Sequence, residues 1–287
     1  MSRTAYVNGV YTPLSAARVS VLDRGFQFAD SIYEVWAVRG GRLFDEAEHL
    51  ARLKRSLAEL RIAAPMSDAA LMLVIRETVR RNRVRDGIVY LQISRGAAPR
   101  DHGFPAPAVR PTIVITAKSL DRAASEARAA SGVKVISLPE TRWARRDIKS
   151  VNLLPNVLAR QAAREAGAFE AWFVDHEGFV TEGTSSTAWI VDEAGALRTR
   201  PLSHDLLHGV TRAVLLRIAE ERQIAVIEAP FTVAEAHNAR EAFISGASNP
   251  TVPVISLDGA PIGDGKPGPV VQALRAAYLG AGAADAA

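Results

Sequence analysis

The chain has 287 residues, 48% of them hydrophobic and 23% charged, so it can bury a sizeable core and its length suits two medium domains better than one. Its net charge of +4 is carried by cations interleaved with Asp and Glu, with no Lys/Arg block among aromatics, which argues against nucleic acid as a partner. It has no cysteine, which excludes disulfides and thiolate metal sites. The first residues, MSRTAYVNGVY, lack a charged-then-apolar signal, and no apolar run reaches membrane-span length, so the expectation is a cytoplasmic protein without a membrane partner.

In chain order, residues 5–12 read as a hairpin turning at Asn8-Gly9, the dipeptide that supplies positive φ to a tight primed turn. Val19–Leu22 reads as a short strand, DRGFQFAD as a loop, and Ile32–Val38 as a strand that turns at Gly40-Gly41 into Arg42–Phe44. Phe26, Phe28, Tyr33 and Trp36 crowd this stretch and read as core residues, although Tyr33, just after the loop, is also placed to offer its hydroxyl to a site. Glu46–Ile62 is a helix with Leu50, Leu53, Leu57 and Leu60 at helical spacing. Arg52 lies off that stripe and by pattern alone is a solvated arginine. A second helix spans Asp68–Arg83, with Ser67 as N-cap candidate.

Ile88–Ser94 and Thr112–Ala117 read as strands. The Pro- and Gly-rich loop between them carries Arg100 and His102; such a loop is either plain solvent-exposed chain or a rigid support for a carboxylate clamp. Residues 118–130 lose the strand pattern, which places a linker at 119–125 between a smaller domain, 1–118, and a larger one, 126–287. Val133–Leu138 restarts a strand. A helix follows with Leu154, Leu158 and Ala162 on one face and Gly167 as its stop, and then strands at Ala171–Val174 and Thr187–Val191.

The helix after Gly209 buries Val214, Leu215, Ile218 and Ala219. Its first amides, at Val210 and Thr211, suit a phosphate, although a plain N-cap is the commoner role for a residue such as Thr211. Short strands are expected at Ile224–Ile227, Ala242–Ser245 and Pro253–Leu257, a closing helix at Val270–Leu279, and a disordered tail over 280–287.

Several common chemistries are missing. No GxGxxG follows a strand, no GxxxxGK[ST] or HExxH occurs, GTSST and SGASN do not match a GxSxG elbow, and with no cysteine the six histidines form no Cys/His zinc motif. What remains is Lys149, among Arg145, Arg146 and Asp147, with the carboxylate Glu182 some thirty residues on, ahead of Gly-Thr-Ser-Ser. A lysine with a lowered pKa forms a Schiff base with a carbonyl cofactor, and a carboxylate keeps a pyridine nitrogen protonated. By pattern alone a lysine with these neighbours is most often a solvated surface residue.

DRGFQFADSIYEV, EHLARLKRS, SRGAAPRDHGFP, RWARRDIKSVNLLPNVLA, TEGTSS and LLHGVTR occur in this order. Together they resemble the fold-type IV pyridoxal-phosphate aminotransferases, and within them the enzymes acting on D-amino acids, over Tyr6 to Tyr278. The resemblance implies an α/β (α+β) fold of two domains with pyridoxal 5′-phosphate between them, a homodimer, and transamination of D-amino acids of the D-alanine or D-glutamate type with 2-oxoglutarate or pyruvate. It implies Lys149 as the Schiff-base and proton-shuttling lysine, Glu182 on the pyridine nitrogen, and Arg52, Val210, Thr211 and Ser248 around the phosphate. Leu207 is implied against the ring, with Tyr33, Arg100 and His102 on the substrate α-carboxylate, the last two reaching into the neighbouring subunit's site.

The chain departs from the family pattern at Ala29 and Ser31, where glycine is usual, at Thr187, where asparagine is usual, and at Ala247, where a phosphate-binding threonine is usual and Ser248 is the substitute. The loss at Ala247 implies weaker cofactor retention. The alternatives are a branched-chain L-amino-acid aminotransferase or aminodeoxychorismate lyase, which share the Lys and Glu, an R-selective amine transaminase, which needs no such carboxylate clamp, and an α/β binding protein without a cofactor.

Overall fold

The computed structural model describes residues 3–284 and divides into two compact units. One comprises the chain up to Asp121 together with Ile148–Asn152; the other comprises Arg122–Asp147 and the chain from Leu153 onward.

The first unit contains β1 (Thr4–Val7), β2 (Val10–Pro13), α1 (Arg24–Phe28), β3 (Ser31–Arg39), β4 (Arg42–Leu43), α2 (Glu46–Glu59), α3 (Asp68–Arg81), β5 (Gly87–Ser94) and β6 (Thr112–Ser119). Its six strands form one antiparallel sheet in the order β2-β1-β6-β5-β3-β4. The first hairpin pairs Val7 with Val10 across Asn8 and Gly9, both at positive φ (48° and 102°), as a primed turn requires. Side chains alternate across the sheet. Ile32, Trp36, Val89, Leu91, Ile93 and Ile115 are buried, and so are Leu53 and Leu57 of α2 and Leu71, Ile75 and Val79 of α3, the helices that pack on these strands.

The second unit contains α4 (Arg122–Ser131), β7 (Val133–Pro139), α5 (Leu154–Glu165), β8 (Glu170–Val174), β9 (Val180–Gly183), β10 (Thr187–Val191), β11 (Leu197–Thr199), α6 (Val210–Glu221), β12 (Val226–Glu228), α7 (Val233–His237), β13 (Glu241–Gly246), β14 (Asn249–Leu257), β15 (Ala260–Pro261) and α8 (Pro269–Ala284). The strand path is β12-β11-β10-β13-β14-β7-β8-β9, with β15 on β14. Parallel pairing at β11/β12, β14/β7 and β7/β8 is mixed with antiparallel pairing elsewhere. β9 and β10 are buried along their whole length, so they show no polar/apolar alternation. Trp172, Val180, Ile190, Phe231, Val252 and Val254 share one core cluster. α5 packs on β7 and β8, while α6 and α8 pack on each other and on β13.

Several expectations change. Val19–Leu22 forms no strand, and Val19, Val21 and Leu22 are exposed. DRGFQFAD contains the helix α1, because the Asp23 carboxylate caps the amides of Gly25 and Phe26; its Phe26 is exposed. The units divide between Asp121 and Arg122, where α4 already begins, so the stretch expected as linker at 119–125 is largely the end of β6 and the start of α4. The expected boundaries also assigned Ile148–Asn152 to the larger domain. These residues join the first unit because they bond to the β3 edge: Tyr33 N–H donates to the Lys149 carbonyl (2.9 Å) and Val151 N–H to the Ser31 carbonyl (3.1 Å).

The α5 face bearing Leu154 (66% exposed) and Leu158 (63%) points outward. The small residues Ala159 and Ala163 sit inward instead, clustered with Ala171 and Phe173. The tail expected to be unstructured from 280 continues as α8 to Ala284, through Gly280 and Gly282; residues 285–287 lie outside the described part. Among the described residues, no helix is long and apolar enough to cross a membrane.

Candidate active site

In the first unit the site begins at Lys149. Its backbone is fixed on both sides: the carbonyl accepts from Tyr33 N–H, and the amide donates to Ser56 Oγ of α2 (3.4 Å). Its half-buried side chain lies with Nζ 4.3 Å from the centroid of the Tyr33 ring, a cation–π contact. Tyr33 in turn stacks on Tyr90 (5.6 Å, 27°). Burial, with Tyr33 adding to it, pushes the Tyr90 phenol up to about 12, and its hydroxyl donates to Gln92 Oε1 (2.9 Å).

Alternation along β3 turns Glu34 to the opposite face from Tyr33, toward α2. There Arg52, far from being solvated, is buried. Its Nε and Nη2 donate to the two Glu34 oxygens at 2.9 and 2.6 Å, and His49 Nδ1 bonds the same carboxylate at 3.0 Å. Burial alone would raise the Glu34 pKa. The Arg52 charge and the two hydrogen-bonding partners outweigh burial and hold this carboxyl well below the ordinary range. For His49 burial wins, and its pKa is lowered despite Glu34, so the ring is neutral at pH 7. Glu34 and His49 were not anticipated from sequence; the EHLAR run gives the helical i, i+3 relation of His49 to Arg52, but nothing local connects either to Glu34.

Arg100 and His102 come together around one ring. Arg100 Cζ lies 5.0 Å from the Phe28 centroid, and the His102 ring centroid lies 5.4 Å from it. Both side chains are exposed on their own unit.

In the second unit Glu182 lies on β9, 5% exposed. Its carboxylate accepts from Arg142 Nη1 and from the Leu207 backbone N–H (3.2 and 3.3 Å to the two oxygens). Arg142, which pattern reading passed over, bridges two carboxylates. It also holds Glu140 through its backbone N–H and Nε (2.9 Å each) and through Nη2, and its guanidinium lies 4.4 Å from the Phe173 centroid. Thr181 Oγ1 donates to Glu140 at 2.8 Å. Burial pushes the Glu182 pKa up; the Arg142 charge and the Leu207 amide oppose that rise without cancelling it. The other arginines of the RWARRDIK stretch are also paired, Arg145 with Asp147 (2.9 and 3.0 Å) and Arg146 with the carbonyl and carboxylate of Asp205.

The N-terminus of α6 follows Gly209, with no side chain capping it, and Val210 and Thr211 are both buried. Gly209 packs closely: a Cβ there would stand 3.1 Å from Thr187 Oγ1 and 3.2 Å from Arg212 Cβ, so a larger residue needs these neighbours to give by a few tenths of an ångström. Ser248 sits at the exposed turn between β13 and β14, its hydroxyl accepting from Asn249 Nδ2 (3.3 Å); Ala247 beside it is half-buried.

The family model described as amino-transferase class IV matches residues 31–257. A D-alanine aminotransferase of Staphylococcus aureus (strain MSSA476) is 40% identical over 274 residues, 95% of each chain. A D-alanine aminotransferase of Bacillus licheniformis is 40% identical over 270 residues, 94% of each chain. Among solved structures, a branched-chain amino acid aminotransferase of Escherichia coli matches with a TM-score of 0.91 at 25% identity, over 98% of this chain and 94% of that one. A T.th. branched-chain amino acid aminotransferase with pyridoxamine 5′-phosphate matches with a TM-score of 0.89 at 28% identity, with the same coverage. Family model and relatives each cover most of the chain, and the fold agrees: the chain belongs to the class IV aminotransferases.

Proposed function

We propose that the protein transfers the amino group of D-amino acids, of the D-alanine or D-glutamate type, to 2-oxoglutarate or pyruvate, with pyridoxal 5′-phosphate held by Lys149. The observation that carries the D-specific reading is the 40% identity to D-alanine aminotransferases over 95% of the chain, against 25% and 28% to the branched-chain enzymes.

The residues present fit this cofactor. Lys149 offers a half-buried primary amine, Glu182 a buried carboxylate with a backbone donor already set on it, and α6 an uncapped N-terminus of the kind that receives phosphate. When bound, pyridoxal phosphate supplies an electrophilic carbonyl and an electron-accepting ring. Lys149 Nζ would hold it, and the same amine would take the proton from substrate Cα. Glu182 keeps the pyridine nitrogen protonated, and Arg142 and Leu207 N–H orient its carboxylate. Arg52, the amides of Val210 and Thr211, the Thr211 hydroxyl and Ser248 would bind the phosphate, with Leu207 on the ring side. Tyr33, Arg100 and His102 bind the substrate α-carboxylate, which fixes the face of Cα that meets Lys149.

The active form is a homodimer in which Arg100 and His102 serve the neighbouring subunit. Supporting this are their exposure and the outward apolar face of α5, where Leu154, Val157 and Leu158 are 66, 59 and 63% exposed. Burying such side chains against a second copy contributes about 1.5–3 kcal/mol each. The experiment that tests the reading is absorbance of the protein after addition of pyridoxal phosphate. A protein-bound band that is lost in Lys149→Ala is the expected result; no such band in the unsubstituted protein would overturn the assignment. A branched-chain L-amino-acid specificity is the second reading, favoured by the TM-scores of 0.91 and 0.89.

A further inference from the structure

The loop that carries Arg100 and His102 is exposed and rich in proline and glycine, yet it is tied down from beneath by a buried arginine that carries no part of the reaction described above. Arg24, the first residue of α1, is 3% exposed. Its guanidinium donates to the carbonyl of Asp101 through Nη1 (2.6 Å), to the carbonyl of His102 through Nη2 (3.3 Å), and to Asp30 Oδ2 through Nε (2.8 Å). Its Cζ lies 4.9 Å from the Phe28 centroid, the same ring that Arg100 and His102 flank.

Asp30 is shared. Arg95 grips it with Nε and Nη2 (2.7 and 2.9 Å) and uses the rest of its fork on the carbonyls of Leu60 and Arg61 (2.7 and 2.9 Å), at the end of α2. The far side of the loop is held by Phe104, whose ring lies under the guanidinium groups of Arg95 (3.6 Å) and Arg61 (4.8 Å). The loop is thus pinned at 101–102 by Arg24 and at 104 by Arg95 and Arg61. Asp30, with its pKa lowered by its two arginines against the upward push of burial, remains ionised to hold them.

A backbone carbonyl carries no side-chain identity, so Arg24 fixes where the chain runs, and with it the origin of both neighbouring side chains. We propose that Arg24 is a positioning residue for carboxylate recognition: by holding the Asp101 and His102 carbonyls on α1, it sets the place from which Arg100 and His102 meet the substrate. This rests on the assignment of Arg100 and His102 to the α-carboxylate. An Arg is needed because two carbonyls and a carboxylate lie in different directions from one planar fork; a lysine reaches Asp30 or a carbonyl but cannot span all three.

The test is Arg24→Met and Arg24→Lys in the pyridoxal-phosphate-loaded enzyme, with and without Arg100→Ala. Asp30 keeps both Arg95 bonds in either variant, so the fold around it retains its charge pairing. The expected result for Arg24→Met is a KM for D-alanine raised about tenfold, the loss of roughly one charge-assisted bond, with kcat within about twofold. Amide hydrogen exchange over 99–104 becomes faster, with exchange in β3 and β5 unchanged, and Arg24→Lys falls between the two. In the Arg100→Ala background the Arg24 effect on KM shrinks, because one of the two side chains it positions is gone and only the share carried by His102 remains.

Unchanged kcat/KM, a loss confined to kcat, or the full effect retained in Arg100→Ala would each overturn the proposal. If Arg24→Met does not fold, the same criteria apply to Arg24→Lys. Failure of the carboxylate assignment reads differently: Arg100→Ala alone then leaves KM unchanged, while the exchange measurement still reports whether Arg24 holds the loop.

Discussion

Replacing Glu34 with glutamine tests the buried centre of the first unit. Glu34 is fully buried and accepts from Arg52 at 2.9 and 2.6 Å and from His49 at 3.0 Å. Glutamine keeps the shape but removes the charge, and its amide nitrogen turns a donor toward one of these donors. Two charge-assisted bonds at roughly 1.5 kcal/mol each give a loss of about 3 kcal/mol, the lower end for breaking a buried ion pair. With a urea slope of about 2 kcal/mol/M, the unfolding midpoint of the first unit drops by about 1.5 M.

The pH dependence follows from the signs. The folded pKa of Glu34 lies below its ordinary 4.5, so its contribution is full above 4.5 and is lost as pH falls through the folded value. His49 is also lowered, from 6.5, so the folded protein resists protonating it and loses stability as pH falls below 6.5 toward the folded value. Urea midpoints at pH 7.5, 5.5 and 4 resolve the two steps. Glu34→Gln removes the step below 4.5 and retains the one beginning at 6.5. A midpoint within 0.3 M of the parent, roughly 0.6 kcal/mol, with the same acid profile would refute the reasoning.

Other substitutions probe particular positions. Ala29 ends α1 at φ 57°, a left-handed conformation that favours the glycine usual there, so Ala29→Gly is expected to raise stability by about 1 kcal/mol in thermal or urea unfolding. Ala247→Thr restores a hydroxyl beside Ser248, which is exposed and already engaged by Asn249; the dissociation constant for pyridoxal phosphate is expected to fall about tenfold by fluorescence titration. Leu158→Glu puts a charge on the outward apolar face of α5 and is expected to shift the protein from dimer to monomer in sedimentation, with loss of transamination.

Local signals explain how much of this was legible. Helices α2, α3 and α6 follow their apolar period because each packs one face on a sheet. The turn at Asn8-Gly9 follows from backbone chemistry alone. The apolar stretch Val19–Leu22 misled because its side chains are exposed, and the outward face of α5 misled because Ala159 and Ala163 allow the helix to approach β8 more closely than leucines would. β9 is only four residues long and was missed between its neighbours, although it carries Glu182.

At the site, Lys149, Arg52 and Glu182 were named from the motifs, but their partners were not. Glu34 lies 18 residues from Arg52 and Arg142 lies 40 from Glu182; these pairs are made by strand and helix placement, which no local pattern encodes.

The most direct measurement of the central claim is a half-reaction titration of the pyridoxal-phosphate-loaded protein, followed by absorbance, with D-alanine and separately with L-leucine. Conversion to the pyridoxamine-phosphate spectrum by D-alanine and not by L-leucine is the predicted result. Conversion by L-leucine and not by D-alanine would contradict it and place the chain's specificity with the branched-chain enzymes.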